Sequence, residues 1–287
     1  MRYDSVFKPD LFKAQTHIVT GGGSGIGRCT AHELASLGAF VVIVGRKQDK
    51  LDKVAAEIRE DGGQCTTVAF DIRDEEAVKA GIKQVVTGRG QIHALVNNAG
   101  GQFPSPLAMI NKKGWEAVVA NNLTGGFLVA REAYTQSMKK NGGAIVNIIA
   151  DMWGGMPGMA HSGAARAGML NFTETASVEW ASSGVRVNAV APGWIQSSGL
   201  DQYDPAFAKE VIGKLKHSVP AKRLGEEAEV SAAITFLLSP GAAYISGACL
   251  TVDGGSSRNS RVFPLVEHDR SRPFQGFHRA TKPKAVG

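Results

Sequence analysis

The stretch His17-Ile18-Val19-Thr20-Gly21-Gly22-Gly23-Ser24-Gly25-Ile26-Gly27 decides the fold. Its opening run is short and β-branched and reads as a buried strand, and from Gly27 to Leu37 the apolar residues recur at helical spacing. A strand that passes through glycines straight into a helix lets the backbone approach a phosphate, whose charge the helix N–H groups and dipole then hold. A glycine run can also be only a tight turn; its position between a first strand and a first helix favours phosphate binding. No lysine follows, which disfavours a nucleoside triphosphate loop. Thr20, Gly21, Gly23, Ser24, Gly25, Ile26 and Gly27 are the expected cradle.

Outward from this unit the same alternation repeats. Strand-like runs recur at 40–44, 66–70, 94–97, 144–149, 185–190 and 248–252, separated by helical spacing at 47–60, 75–86, 114–139, 164–182 and 226–238. Strands apolar on both faces that alternate with helices form a parallel sheet, because each parallel crossover needs a helix to carry the chain back. The expected fold is α/β, a Rossmann-type doubly wound parallel sheet of seven strands with helices on both faces. One domain is expected over 1–255, followed by an irregular basic tail over 256–287.

The end of the second strand selects the dinucleotide. A carboxylate there would bond the ribose 2′-hydroxyl of NAD, but this chain has Gly45-Arg46-Lys47, two cations suited to the 2′-phosphate of NADP. NADP(H) is therefore expected over NAD(H), the alternative being that Arg46 and Lys47 only start a solvated helix. Asp71-Ile72, after the third strand, is placed to cap a turn and to face an adenine ring.

Composition narrows the partners. The 287 residues carry a formal charge of +6, but residues 256–287 hold seven basic against two acidic residues, which leaves 25 basic and 24 acidic in the body. A neutral body argues against a nucleic-acid face. No apolar run approaches the roughly 20 residues of a membrane helix, and the start MRYDSVFKPDLFK lacks the apolar core of a signal peptide. Cys29, Cys65 and Cys249 have no metal spacing, so no metal site is expected and a reduced, cytoplasmic setting fits.

Thr20–Gly27, Asn97-Asn98-Ala99-Gly100, Asn122-Leu123-Thr124-Gly125 and Ala191-Pro192-Gly193-Trp194-Ile195 occur in an order that resembles the short-chain dehydrogenase/reductase superfamily over residues 10–255. The resemblance implies that Asn98, Ala99 and Gly100 shape the cofactor cleft. It further implies that Pro192, Gly193 and Ile195 present backbone to the nicotinamide, that Ser197 lies close by, and that the chain forms a homotetramer. NNAGGQF at 97–103, Lys113-Gly114-Trp115, HSGAARAG at 161–168 and Pro220-Ala221-Lys222-Arg223 are most similar to the peroxisomal trans-2-enoyl-CoA reductases, relatives of the 2,4-dienoyl-CoA reductases. The loop DMWGGMPGM at 151–159, the segment 199–216 and the tail depart from that branch, so acyl specificity does not carry over.

The catalytic end departs from the superfamily as well. Its usual Ser, Tyr and Lys fall here on Ile149 or Ala150, on Ser162 and on Arg166, leaving Asn122 of the extended tetrad. An arginine can bond ribose hydroxyls but is too basic to relay protons. Reducing an activated C=C bond asks less of a tyrosine, because hydride goes to the β carbon and the enolate needs only hydrogen-bond donors before a weak acid protonates the α carbon. Asn122, Asp151, His161, Ser162 and Arg166 are the candidate participants. Against each stands a plainer role: Asn122 holding a helix kink, Asp151 a loop turn, His161 packing, Ser162 capping the helix.

Three functions follow in order of preference. The first is NADPH-dependent reduction of a trans-2-enoyl-CoA thioester, with acyl-CoA as the small-molecule substrate. The second is an NAD(P)-dependent dehydrogenase of an alcohol or carbonyl such as a terpenoid. The third is a non-catalytic NADP-binding homologue.

Overall fold

The computed structural model describes residues 2–202, 213–260 and 263–283. Strands β1 (Thr16–Thr20), β2 (Phe40–Gly45), β3 (Gln64–Ala69), β4 (Ala94–Asn97), β5 (Gly143–Ile148), β6 (Val185–Pro192) and β9 (Cys249–Val252) form one parallel sheet in the order β3-β2-β1-β4-β5-β6-β9. Two shorter strands, β7 (Ile195–Gln196) and β8 (Gly225–Glu226), pair separately in parallel. The helices are α1 (Gly25–Ser36), α2 (Gln48–Glu60), α3 (Glu75–Arg89), α4 (Lys112–Val119), α5 (Gly125–Ala133), α6 (Lys139–Asn141), α7 (Ala160–Glu179), α8 (Gly213–Ser218) and α9 (Glu227–Leu238).

The strand residues alternate between two cores, as a pleat buried on both faces requires. Val19, Val41, Ile43, Val96 and Val146 meet Leu34, Leu51, Val54, Val230 and Ile234 of α1, α2 and α9. Ile18, Val42, Val44, Leu95 and Ile145 meet Val78, Ile82, Val129 and Ala176 of α3, α5 and α7. The order runs one way from β1 to β3 and the other from β4 onward, so a crevice opens beyond the carboxyl ends of β1 and β4, where ligands bind in such sheets.

The sequence reading misses three features. The β7–β8 pair is too short to carry a periodic signal. Within 112–141 two π turns, Ala120–Thr124 and Tyr134–Met138, interrupt the helical stretch. Helix α7 starts at Ala160, ahead of the expected 164.

The described residues of the tail beyond the short turn Ser256–Arg258 contain no helix or strand and pack on their own chain. Phe277 is buried with Tyr3, Cys29 and Ala228, and its ring stacks on Tyr3 at 5.8 Å. Arg279 bonds Asp61 and Glu60, and Arg223 bonds Ser271. Of the tail's basic residues, Arg279 is thus paired with carboxylates of the body, while Arg261 and Lys284 lie outside the described residues, as does 203–212 of the divergent segment.

Candidate active site

At the phosphate end, Ser24 is the N-cap of α1 in extended conformation, its side chain makes no capping bond, and the first turn contains no acidic residue. That leaves the helix terminus suited to an external anion. Gly25 sits at φ +57°, and a Cβ built there meets nothing nearer than 3.9 Å, where Glu227, Ser197 and Ser198 lie. By contrast a Cβ at Gly27 would stand 2.5 Å from the Gly21 carbonyl, so Gly27 is required for helix-to-loop packing. Gly23 backs onto Lys50 of α2, and Ile26 packs against the core. Thr20 and Asn98 are braces: Thr20 Oγ1 accepts from the Asn98 and Ala99 N–H groups at 3.0 Å each, and Asn98 Nδ2 donates to the Thr20 carbonyl at 3.0 Å.

At the adenosine end, Arg46 and Lys47 are exposed just beyond β2, and Lys47 is the N-cap of α2 without a side-chain bond. Asp71 caps its turn, accepting from the Arg73 N–H at 3.0 Å, and Arg73 forks onto the same carboxylate. The bond to Arg73, with the field of Arg46 added, holds the Asp71 carboxyl below its ordinary range. The Ile72 side chain is buried against Gly125 and the second core.

The residues expected to face a nicotinamide lie where β6 finishes. The Gly193 N–H donates to Val252 at 3.0 Å, and a Cβ on Gly193 would stand 2.9 Å from Asp253. Pro192 is in register with Val252. Ile195 is buried and aligned with Gly225, whose N–H donates to the Trp194 carbonyl, not to Ile195. Ser197 Oγ accepts from the Gly199 N–H.

Asn122, His161, Ser162 and Arg166 meet residues 100–103, whereas Asp151 lies apart, beside Asp253 and Ser256. Asn122 is buried within the π turn that follows α4 and its carboxamide is fully engaged: Nδ2 donates to the Gly101 and Val118 carbonyls at 2.6 and 2.8 Å, and Oδ1 accepts from the Gly101 N–H at 3.1 Å. It therefore takes the plainer of its two roles, holding the kink, and it ties the kink to the 100–102 loop. Gly100 is enclosed by that arrangement, since a Cβ there would be 2.6 Å from Asn122 Oδ1 and 2.8 Å from Arg166 Nη2.

Ser162 lies in the first turn of α7, but the N-cap is Met159, so Ser162 does not cap. Its hydroxyl instead donates to Gln102 Oε1, a residue that the sequence reading quoted in a motif without placing it in the site. One turn on, Arg166 donates from Nη1 to the Ile148 carbonyl at 2.6 Å, while its Nε is enclosed with no partner among the described residues. Burial pulls the guanidinium down to about 10, which still leaves it charged at neutral pH.

His161 is fully buried. Its ring meets Phe103 edge-on at 4.5 Å, Nδ1 accepts from the Ser162 N–H, and Nε2 has no partner among the described residues. Asp151, half-buried, is raised by desolvation and by neighbouring Asp253, although Ser256 bonds it. The link to Asp253 and Ser256 at the root of the tail has no signal in sequence spacing. Together these residues can hold a dinucleotide, place a cation and hydroxyl groups beside its reactive end, and supply one weak acid.

Among the described residues no group of His, Cys, Asp and Glu could hold a metal ion, and no helix is long and apolar enough to cross a membrane.

Comparison with known proteins agrees with this geometry. A family model described as enoyl-(acyl carrier protein) reductase matches residues 21–257. A probable 2,4-dienoyl-CoA reductase of Bacillus subtilis is 39% identical over 250 residues, covering 86% of this chain and 98% of that protein. A 3-oxoacyl-[acyl-carrier-protein] reductase of Synechocystis is 38% identical, covering 84% and 96%. Among solved structures, a citronellol catabolism dehydrogenase of Pseudomonas aeruginosa is 62% identical, with a TM-score of 0.81 over 89% of this chain and all of that one.

Proposed function

The chain belongs to the short-chain dehydrogenase/reductase family, and from that premise we propose that it is an NADP(H)-dependent reductase of the activated C=C bond of a trans-2-enoyl-CoA thioester, fatty or branched. The observation that carries the reading is on α7, where Ser162 and Arg166 stand one turn apart, bonded to Gln102 and to the Ile148 carbonyl, at the positions that the resemblance assigns to the family's tyrosine and lysine. The dinucleotide, when bound, supplies a hydride equivalent. Arg46 and Lys47 favour a 2′-phosphate, and the α1 terminus takes the pyrophosphate. Arg166 bonds the ribose and keeps positive charge beside the nicotinamide. As the β carbon gains hydride, negative charge moves onto the thioester oxygen, where the fixed charge of Arg166 stabilises it, joined by the Ser162 hydroxyl once that turns away from Gln102. Asp151 or His161 then delivers the proton that the α carbon needs. The enzyme unit is residues 1–255, and the protein works in the cytoplasm as a homotetramer on a small acyl-CoA.

A specific observation favours a second reading. The 62% identical structure is titled a citronellol catabolism dehydrogenase, which supports a terpenoid alcohol or carbonyl as substrate. A side-by-side screen separates the two: crotonyl-CoA, longer and β-methyl-branched enoyl-CoAs with NADPH or NADH, against citronellol with the oxidised cofactors. Turnover of thioesters with NADPH is expected. Alcohol oxidation alone would transfer the assignment to the second reading, and tight NADPH binding without turnover to a non-catalytic role.

A further inference from the structure

Glu227 has no part in the chemistry above, yet it lies where the anionic cofactor must pass. It is the first residue of α9, only 7% exposed, and its Oε1 lies 3.9 Å from a Cβ built on Gly25, the open glycine at the α1 terminus. Among the described residues no donor bonds its carboxylate. A carboxylate in this position competes with an external anion for the helix terminus that it faces, which is otherwise free of acidic residues and suited to phosphate.

The charged and titratable groups around it can be counted element by element. From α1, Arg28 and Cys29 face it, with Glu33 one turn further on. Arg28 is committed to Glu57 at 2.7 Å and to the Arg279 carbonyl of the tail, so it is only a partial counter-charge. Burial keeps the Cys29 thiol neutral, and the same holds for the Tyr3 hydroxyl beside it. From its own helix Glu226 adds like charge, while Glu229 is paired with Arg223. Burial is the largest influence on Glu227 and lifts it to about 7, with Arg28 opposing and Glu226 reinforcing.

We propose that Glu227 couples dinucleotide binding to proton uptake: the acid form admits the pyrophosphate at the α1 terminus and the ionised form repels it. The inference rests on the dinucleotide reading of this site. It makes Glu227 an affinity-setting residue, with cofactor held more tightly below neutrality than above it.

The test is calorimetric titration of the full-length protein with NADPH, and with NADH as a ligand lacking the 2′-phosphate, in two buffers of different ionisation enthalpy. At pH 7.5 the wild type should take up roughly 0.7 proton per dinucleotide, and its Kd should rise up to about 30-fold from pH 6 to 8.5. Glu227→Gln should abolish the uptake and flatten the profile. If that variant does not fold, the wild-type uptake decides alone. Binding without uptake, or the same uptake in Glu227→Gln, overturns the coupling and leaves the proposed function standing. Failure to bind either dinucleotide overturns both.

Discussion

Replacing Asn122 by alanine should cost about 3 kcal/mol of stability and disorganise the site at the same time. The side chain is 3% exposed and makes three hydrogen bonds, to Gly101 twice and to Val118 once. Each contributes about 1 kcal/mol net, and its loss leaves a backbone group unpaired inside the kink. For a domain of this size a kilocalorie corresponds to roughly 2–4 °C, so the melting temperature should fall by about 6–12 °C. The loop released is the one that carries Gln102, the acceptor of the Ser162 hydroxyl, so kcat should drop together with stability. Asn122→Asp should do no better, because it keeps the acceptor for the Gly101 N–H but turns an oxygen toward two carbonyls. Thermal and urea unfolding with parallel kinetics checks this. A change within about 0.5 kcal/mol, or lost stability with full activity, would refute the view that one carboxamide supports both fold and site.

Gly100→Ala should displace the Arg166 guanidinium, 2.8 Å from the new Cβ, and raise the Kd for NADPH at least tenfold; an unchanged Kd would remove Arg166 from the cofactor contacts. Phe277→Ala should destabilise by about 3 kcal/mol, because the ring is sealed against Tyr3, Cys29 and Ala228; a neutral result would mean that the tail is not docked in solution. His17 is fully buried, and burial with neighbouring His93 lowers it to about 3 from an ordinary 6.5. The unfolded chain therefore takes up this proton first: the stability from a neutral His17 is complete above about pH 6.5 and decays as the pH falls toward 3. Relative to His17→Gln, the wild type should lose about 1.4 kcal/mol more per pH unit between 6 and 4, and equal slopes in urea titrations would contradict this.

The seven strands were legible because each is a short β-branched run buried on both faces, and the strand–glycine–helix junction because it is local in sequence. The positions of Arg46, Asp71 and Gly193 were legible for the same reason, each lying within a few residues of a strand end. What could not be read is what depends on distant pairing. Nothing in the spacing joins Ser162 to Gln102, or Asp151 to Ser256. Glu227 is 202 positions from Gly25 in the chain, and only the packing of α9 on α1 brings them together. The packing of Ile72 was also hidden, because Gly125 on α5 is what leaves room for its side chain. The pairing of the tail's Arg279 with Asp61 and Glu60 spans more than 200 positions of sequence and could not be read either.

The central claim is that hydride is delivered to the β carbon of a thioester without the family's tyrosine. The most direct test supplies NADPH carrying deuterium at the transferable position of C4 with a β-methyl enoyl-CoA, and locates the label in the product by mass spectrometry and NMR. The expected product carries one deuterium at C3 and a solvent proton at C2. Label at C1 of an alcohol formed from a terpenoid aldehyde, with no thioester consumed at any chain length, would contradict it.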